Sequence, residues 1–269
     1  GLDDVRAGRV IFIGDAETRI GEDYLRILRF FRFNAWYARG PLDPSGVAAC
    51  KALASGVETL SAERVWKELK KLLGAQNPRP AWEGLEAIEV RTRVAPEMAR
   101  HDRLDALIGL ENDLMLPFDA MTRVAASLAD AEAARALARR LKLSNEERDR
   151  LVAALGDDVK LTSYMSLREM RRAIYRIGNE AFRDRVMLAW AGAGGEKAQQ
   201  WRALVAHGQM WHAPKLPLTG DEVMTAGVPA GPKVGLILRE VEEWWIDADF
   251  PDDKLSVIER LKAVAQGLA

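Results

Sequence analysis

Helical periodicity dominates from about residue 15 to the C-terminus, and its expected breaks are where proline and glycine gather. The breaks fall at Gly40-Pro41 with Asp43-Pro44, at Gln76-Asn77-Pro78-Arg79-Pro80, at Leu116-Pro117, around Gly156-Asp157-Asp158, and at Ala191-Gly192-Ala193-Gly194-Gly195. Proline lacks the amide that a helix interior needs and glycine gains most from leaving the helix, so each cluster ends one helix. A chain punctuated this way folds as a mainly all-α protein of several packed helices. No repeat of roughly 30 to 45 residues marks a solenoid. The exception stands at the front, where Arg9-Val10-Ile11-Phe12-Ile13 reads as one short β-strand. A lone strand cannot satisfy its own edges or bury its own faces. The chain also opens on Gly1 rather than Met, so the expectation is a C-terminal portion of something longer, with strand partners upstream. Gly14-Asp15 then reads as a turn and N-cap.

Of the 269 residues, 48% are hydrophobic and 29% charged, enough apolar surface for a buried core. No apolar run approaches the roughly 18 to 20 residues of a membrane-spanning helix, and no secretory signal opens the chain. A cytosolic location is the default. The single Cys50 excludes an internal disulfide framework and a cysteine-based metal cluster. A net charge of −1 argues against coating nucleic acid by bulk electrostatics, but the charge is uneven. Lys160 to Arg185 holds seven basic and three acidic residues, whereas Arg239 to Arg260 is dominated by acids such as Glu240, Glu242, Glu243, Asp247 and Asp249.

The most unusual stretch is "GEDYLRILRFFRFNAWY", Gly21 to Tyr37. On a helical wheel Glu22, Arg26, Arg29 and Phe33 fall on one narrow face with Asp23 and Phe30 beside it, while Tyr24, Ile27, Leu28, Phe31 and Ala35 cover the opposite side. One account is a set of i,i+3 and i,i+4 ion pairs, Glu22 with Arg26 and Asp23 with Arg26. The other notes that arginine presents a planar fork of donors and aspartate an acceptor pair, which together match the hydrogen-bonding edge of a base. Arg19 and Arg29 would then face phosphates.

The pattern EDxxRxxRxxRF, from Glu22 to Phe33, resembles the nucleotide-selecting segment of the bacterial tRNA nucleotidyltransferase and poly(A) polymerase family, which includes the CCA-adding enzymes. "GLDDVRAGRVIFIGD" resembles the segment before it, "LSAERVWKELKKLL" the helix-entry motif after it, and "LPLTGDEVMTAGVPAGPKVGLILREVEEWW" a tail common in these proteins. The resemblance spans nearly the whole chain, although Leu85 to Trp211 carries little beyond helix-forming character. Two positions depart from the family pattern, which usually has arginine at Ile11 and often a bulkier residue at Gly21.

The resemblance implies that Asp23 and Arg26 pair with the Watson–Crick edge of incoming CTP or ATP, with Glu22 orienting Arg26 and Arg29 supporting the site from one turn on. Glu63 and Arg64 match an ER pair that braces this helix. It also implies four regions: the terminal strand of an α/β head at 1–14, a neck at 15–75, a helical body at 76–195 and a helical, RNA-binding tail at 196–269. Transfer of this kind uses carboxylates that hold Mg²⁺ against the triphosphate. In the family they lie on a hairpin upstream of every segment matched here. Asp3-Asp4 does not replace them, because neighbours on an extended segment point to opposite faces. The expectation is a portion that selects CTP or ATP and binds tRNA without catalysing transfer alone. A poly(A) polymerase and a non-catalytic helical RNA-binding module remain open alternatives.

For RNA, Arg168, Arg172 and Arg176 at i, i+4 and i+8 form a basic stripe suited to a phosphate backbone, or equally a solvated face. "AGVPAGPKVG", with Lys233, either offers amides at a proline-started helix N-terminus to a phosphate or is a turn holding two helices. Trp244-Trp245 reads as core before it reads as a stacking platform. His101-Asp102 is too little for a metal-dependent phosphohydrolase, since only His207 and His212 remain, both expected in a loop. "GAGGEK" lacks the spacing of a phosphate-binding loop and reads as linker.

Overall fold

Proline and glycine end helices where the sequence places them. In the computed structural model, which describes residues 1–115, 119–194 and 196–267, the chain forms α1 (Leu2–Ala7), α2 (Ala16–Glu22), α3 (Leu25–Tyr37) and α4 (Pro44–Ala52). A 3₁₀ turn at Ala54–Thr59 leads to α5 (Ala62–Leu73), α6 (Arg79–Ala87), α7 (Val90–Val94) and α8 (His101–Asp113). Then come α9 (Ala120–Ser127), α10 (Ala131–Leu141), α11 (Asn145–Ala154), α12 (Leu167–Gly192) and α13 (Ala198–Met210). The chain finishes with α14 (Gly220–Thr225), α15 (Pro232–Asp247) and α16 (Lys254–Gly267). The break at Leu116-Pro117, and Gly195 within the Ala191 to Gly195 run, lie outside the described residues. Among the described residues no helix is long and apolar enough to cross a membrane.

Two compact units result. The first comprises Gly1–Leu161 with Asp184–Trp201. Its centre is α3, whose Ile27, Leu28 and Phe31 are fully buried or nearly so against α5 and α6. Each such side chain contributes roughly 2 to 3 kcal/mol on leaving water. Gly84 admits the Phe31 ring, because a Cβ there would lie 2.5 Å from Phe31 Cε1. Arg123 of α9, wholly buried, ion-pairs with Glu111 and donates to the carbonyls of Leu73 and Ala75. It thereby answers carbonyls that the C-terminus of α5 leaves without an intrahelical donor.

The second unit comprises Thr162–Arg183 with Arg202–Ala269. Its core joins Val223 of α14, Ile237, Val241 and Trp245 of α15, and Val257 and Leu261 of α16. Phe250 meets Trp245 edge-on, with ring centroids 5.0 Å apart. Thr219 and Glu222 close a capping box at the start of α14. Trp245 is core, and Trp244 is partly buried against the same cluster. α12 is two helical pieces joined at Gly178, whose φ of 81° interrupts the helical ladder.

The strand expected at Arg9–Ile13 does not form. Among the described residues nothing pairs with it. Phe12 instead stacks on Phe30 at 5.2 Å and 15°, while Ile11 and Ile13 face outward. An extended run turns successive side chains to opposite sides, but a strand also needs a ladder, and here the inward side is met by a helix. The residues before it are helical rather than extended. Asp3 and Asp4 occupy the first turn of α1, Arg6 the last, and Gly8 caps it with φ 64°, all helix signals legible in the sequence. Asp4 is bound to Arg9 at 2.7 Å. His207 lies in α13, not in a loop, and His212 follows it outside the helix.

Candidate functional site

The Gly21 to Tyr37 stretch is not one helix. α2 ends at Glu22, Asp23 is extended at φ −159° and ψ 106°, and α3 begins at Leu25. A continuous helix was expected because the apolar spacing runs through, but an aspartate that can accept from the chain two residues ahead favours a turn there. Asp23 Oδ1 accepts from the Leu25 amide at 3.1 Å and its backbone carbonyl from the Arg26 amide at 3.0 Å. Tyr24, at the bend, packs its ring against Gly56, where a Cβ would fall 2.1 Å from the ring. Asp15 caps α2 as expected, accepting from the Thr18 amide at 2.8 Å.

The break separates the supports of the two candidate base-reading residues. Asp23 Oδ2 accepts from Arg64 of α5 at 2.7 Å, not from Arg26. Burial works against the Asp23 charge, but the Leu25 amide and Arg64 outweigh it and hold the carboxyl below its usual range, an acceptor at neutral pH. Arg26 pairs instead with Glu22 and donates to the Arg19 carbonyl at 2.6 Å. Both contacts run through Nη1, so the rest of its fork carries no hydrogen bond to a described residue. Arg19 reaches Glu22 at 2.7 Å, and Arg26 together with Arg19 holds the Glu22 carboxyl low. Arg29 and Arg32 converge on Glu68 of α5, a buried carboxylate that the sequence reading passed over. An acid inside the amphipathic run "ERVWKELKKLL" was its only signal. Glu63 pairs with Lys142 at 3.1 Å, so of the ER pair it is Arg64 that touches the Asp23 segment.

These contacts climb in step: Asp23 to Arg64, Arg29 and Arg32 to Glu68, and the Trp36 indole to the Lys71 carbonyl at 2.7 Å. α3 and α5 therefore run side by side in the same direction. α5 is anchored on its other side by Glu147, which accepts from Lys70 at 2.8 Å and Trp66 at 3.1 Å.

In the second unit the arginine stripe meets the acidic helix. Arg172 pairs with Asp247, Arg176 with Glu243 at 3.0 Å, and Arg171 with Asp249, while Arg168 stays exposed. Tyr175 donates to Glu242, and burial with that carboxylate pushes its hydroxyl up to about 12. Lys233 is exposed at the second position of α15, after the Gly231 cap. His101 accepts at Nδ1 from the Trp82 indole at 3.2 Å, and Asp102 faces Arg100. Among the described residues no group of three His, Cys, Asp or Glu is placed to hold a metal ion. Cys50 is buried, and burial pushes its thiol up to about 12.

A family model described as "Probable RNA and SrmB- binding site of polymerase A" matches residues 41–101. The human mitochondrial CCA tRNA nucleotidyltransferase 1 is 27% identical over 274 residues, covering 97% of this chain and 60% of its own. A CCA-adding enzyme of Levilactobacillus brevis is 26% identical over 270 residues, covering 96% and 64%. Among solved structures, the Thermotoga maritima CCA-adding enzyme complexed with tRNA superposes at a TM-score of 0.65 and 18% identity, over 100% of this chain and 66% of that one. The Bacillus stearothermophilus CCA-adding enzyme in complex with CTP superposes at 0.66 and 21% identity, over 98% and 68%. The structural likeness is one of fold. The chain spans about 60% of the length of the curated relatives it matches first.

Proposed function

We propose that the chain is a member of the tRNA nucleotidyltransferase and poly(A) polymerase family, and that it selects the nucleotide and binds tRNA within an enzyme that adds CCA to tRNA 3′ ends from CTP and ATP. The observation that carries this reading is the Asp23–Arg26 arrangement: a carboxylate held by Arg64 and a guanidinium held by Glu22, with most of the fork unengaged. Cytosine and adenine share an edge feature, an exocyclic amine that donates beside a ring nitrogen that accepts. Uracil and guanine present a carbonyl acceptor beside a ring N–H. A carboxylate accepting from the amine and an arginine donating to the ring nitrogen therefore favour C and A over U and G. Arg29 and Arg19, at the border of this pair, would meet the triphosphate. Arg168, Arg172, Arg176 and Lys233 would meet the tRNA backbone.

Mg²⁺ is the expected metal, bound to carboxylates outside these 269 residues. The described residues do not fit it, since Asp4 is held by Arg9 and no group of three His, Cys, Asp or Glu among them is placed to hold a metal ion. A cytoplasmic setting suits the buried, unpaired Cys50.

The test is extension of a tRNA transcript lacking its terminal CCA, by the enzyme carrying its nucleotidyl-transfer head, with Mg²⁺, CTP and ATP. Addition that stops after C, C and A supports the reading. A long run of A supports the second reading, a poly(A) polymerase, which the description of the matching family model favours. Asp23→Ala and Arg26→Ala should lower rate and selectivity together; unchanged discrimination among the four nucleotides would refute the assignment.

A further inference from the structure

The exposed stripe of α3 does not stop at Arg29. At 100° per residue, Arg26, Arg29, Phe33, Trp36 and Tyr37 fall within about 100° of one another, so the face begins cationic and ends aromatic over about 16 Å. Phe33 is 38% exposed, Trp36 49% and Tyr37 60%. Three large aromatics side by side at a helix surface are not an ordinary solvated face. Phe33 and Tyr37 lie with ring centroids 6.0 Å apart, and the Arg32 guanidinium sits 4.0 Å over the Phe33 ring.

α5 runs beside this stripe and presents its own. Arg64, Lys67 and Lys71 fall within about 60° of one another and all are exposed. Lys67 and Lys71 have no carboxylate partner among the described residues. The carboxylates along the face, Glu22, Asp23 and Glu68, are each already answered by arginine. The face is thus net cationic along its length. At its aromatic end, where α3 and α5 both finish, Trp36 also borders an open cavity of about 660 Å³ lined by Arg39, Gly74, Gln76, Asn77 and Pro80. Its wall offers an aromatic face, a cation and two side-chain amides that both donate and accept.

Rings that stack on any base, lined by cations that follow a backbone, are the two parts of a single-strand site. We propose that the α3–α5 face binds unpaired RNA, its bases stacked on Phe33, Tyr37 and Trp36, its phosphates along Lys67 and Lys71, and one base turned into the cavity beside Trp36. The proposal rests on the reading above for the identity of the polymer as RNA. It extends that reading from one nucleotide at Asp23 and Arg26 to a track leading from them.

The test is fluorescence anisotropy of a labelled single-stranded RNA of about ten nucleotides, titrated with the 269-residue chain at several salt concentrations. Phe33→Ala and Tyr37→Ala are surface changes and should leave the melting temperature unaltered. Each should weaken binding at least about fivefold with the salt slope unchanged. Trp36→Phe keeps the ring and should bind as the parent does. Lys67→Ala with Lys71→Ala should lower the salt slope by about 1.4, at about 0.7 for each phosphate contact on a single strand. Nucleotide selection is read separately, as discrimination among the four nucleotides by the intact enzyme, so a failure of nucleotide selection and a failure of the track give different patterns. Parent affinity in the aromatic variants would overturn the proposal. So would tighter binding of an RNA duplex than of the single strand, or self-association of the chain that these same variants abolish.

Discussion

Two arginine stripes with nearly the same spacing have opposite surroundings. On α3, Arg29 and Arg32 are answered by Glu68, whose side chain is only 7% exposed and which sits on a neighbouring helix of the core. On α12, Arg172 and Arg176 are answered by Asp247 and Glu243, whose side chains are 59% and 62% exposed. A carboxylate already taken out of water depends on its partner, whereas an exposed pair gains little over two hydrated ions. The first stripe is part of the framework. The second is a surface whose charge is held in check by a helix of the same unit.

The largest test of this contrast is stability. Arg32→Ala leaves Glu68 buried with only the longer Arg29 contact, and should cost about 3 kcal/mol in urea unfolding. Arg172→Ala should cost under about 1 kcal/mol, and equal losses would erase the distinction. Gly56→Ala should cost about 1 to 3 kcal/mol by forcing the Tyr24 ring aside, and in the intact enzyme it should blur nucleotide discrimination.

Acid probes the anchor behind α5. Burial opposes the Glu147 charge, but Lys70, the Ser144 amide and Trp66 hold its carboxyl well down, from an ordinary 4.5 to about 2. A depressed folded-state value means stability present above 4.5 and lost as pH falls toward about 2. Melting temperatures measured across that window should fall more steeply in the parent than in Glu147→Gln. The smallest effect concerns the checked surface. Asp247→Ala with Glu243→Ala should tighten tRNA binding a few-fold by freeing Arg172 and Arg176, whereas Arg172→Ala should weaken it and lower the salt slope by about 1. Unchanged affinity in both would remove α12 from the RNA-binding surface.

Punctuation and face were legible in the sequence, and partners were not. The Asp15 cap, the helix ends at Pro41 and Pro78, and the short helix, turn and longer helix of the tail all follow from local rules that operate within a few residues. The Glu22–Arg26 pair is likewise local. Asp23 with Arg64, Glu68 with Arg32, and Arg172 with Asp247 join residues 36 to 75 positions apart. No spacing rule reaches that far. The strand at Arg9 to Ile13 failed for the same reason: the apolar run is real, but a strand is defined by a partner, and Phe12 found Phe30. The bend at Asp23 was missed although its chemistry is local, because apolar periodicity continues through it and outweighed one turn-favouring side chain.

That bend has a mechanical consequence. On a continuous helix the carboxylate and the guanidinium would ride one rod and keep one separation. Here Asp23 is seated on α5 through Arg64, while Arg26 is tethered to the last turn of α2 through Glu22 and the Arg19 carbonyl. A tilt of α2 would swing the donor fork and leave the acceptor where it stands. The pair behaves as a caliper with one fixed jaw, its gauge set by a seven-residue helix that carries almost none of the core.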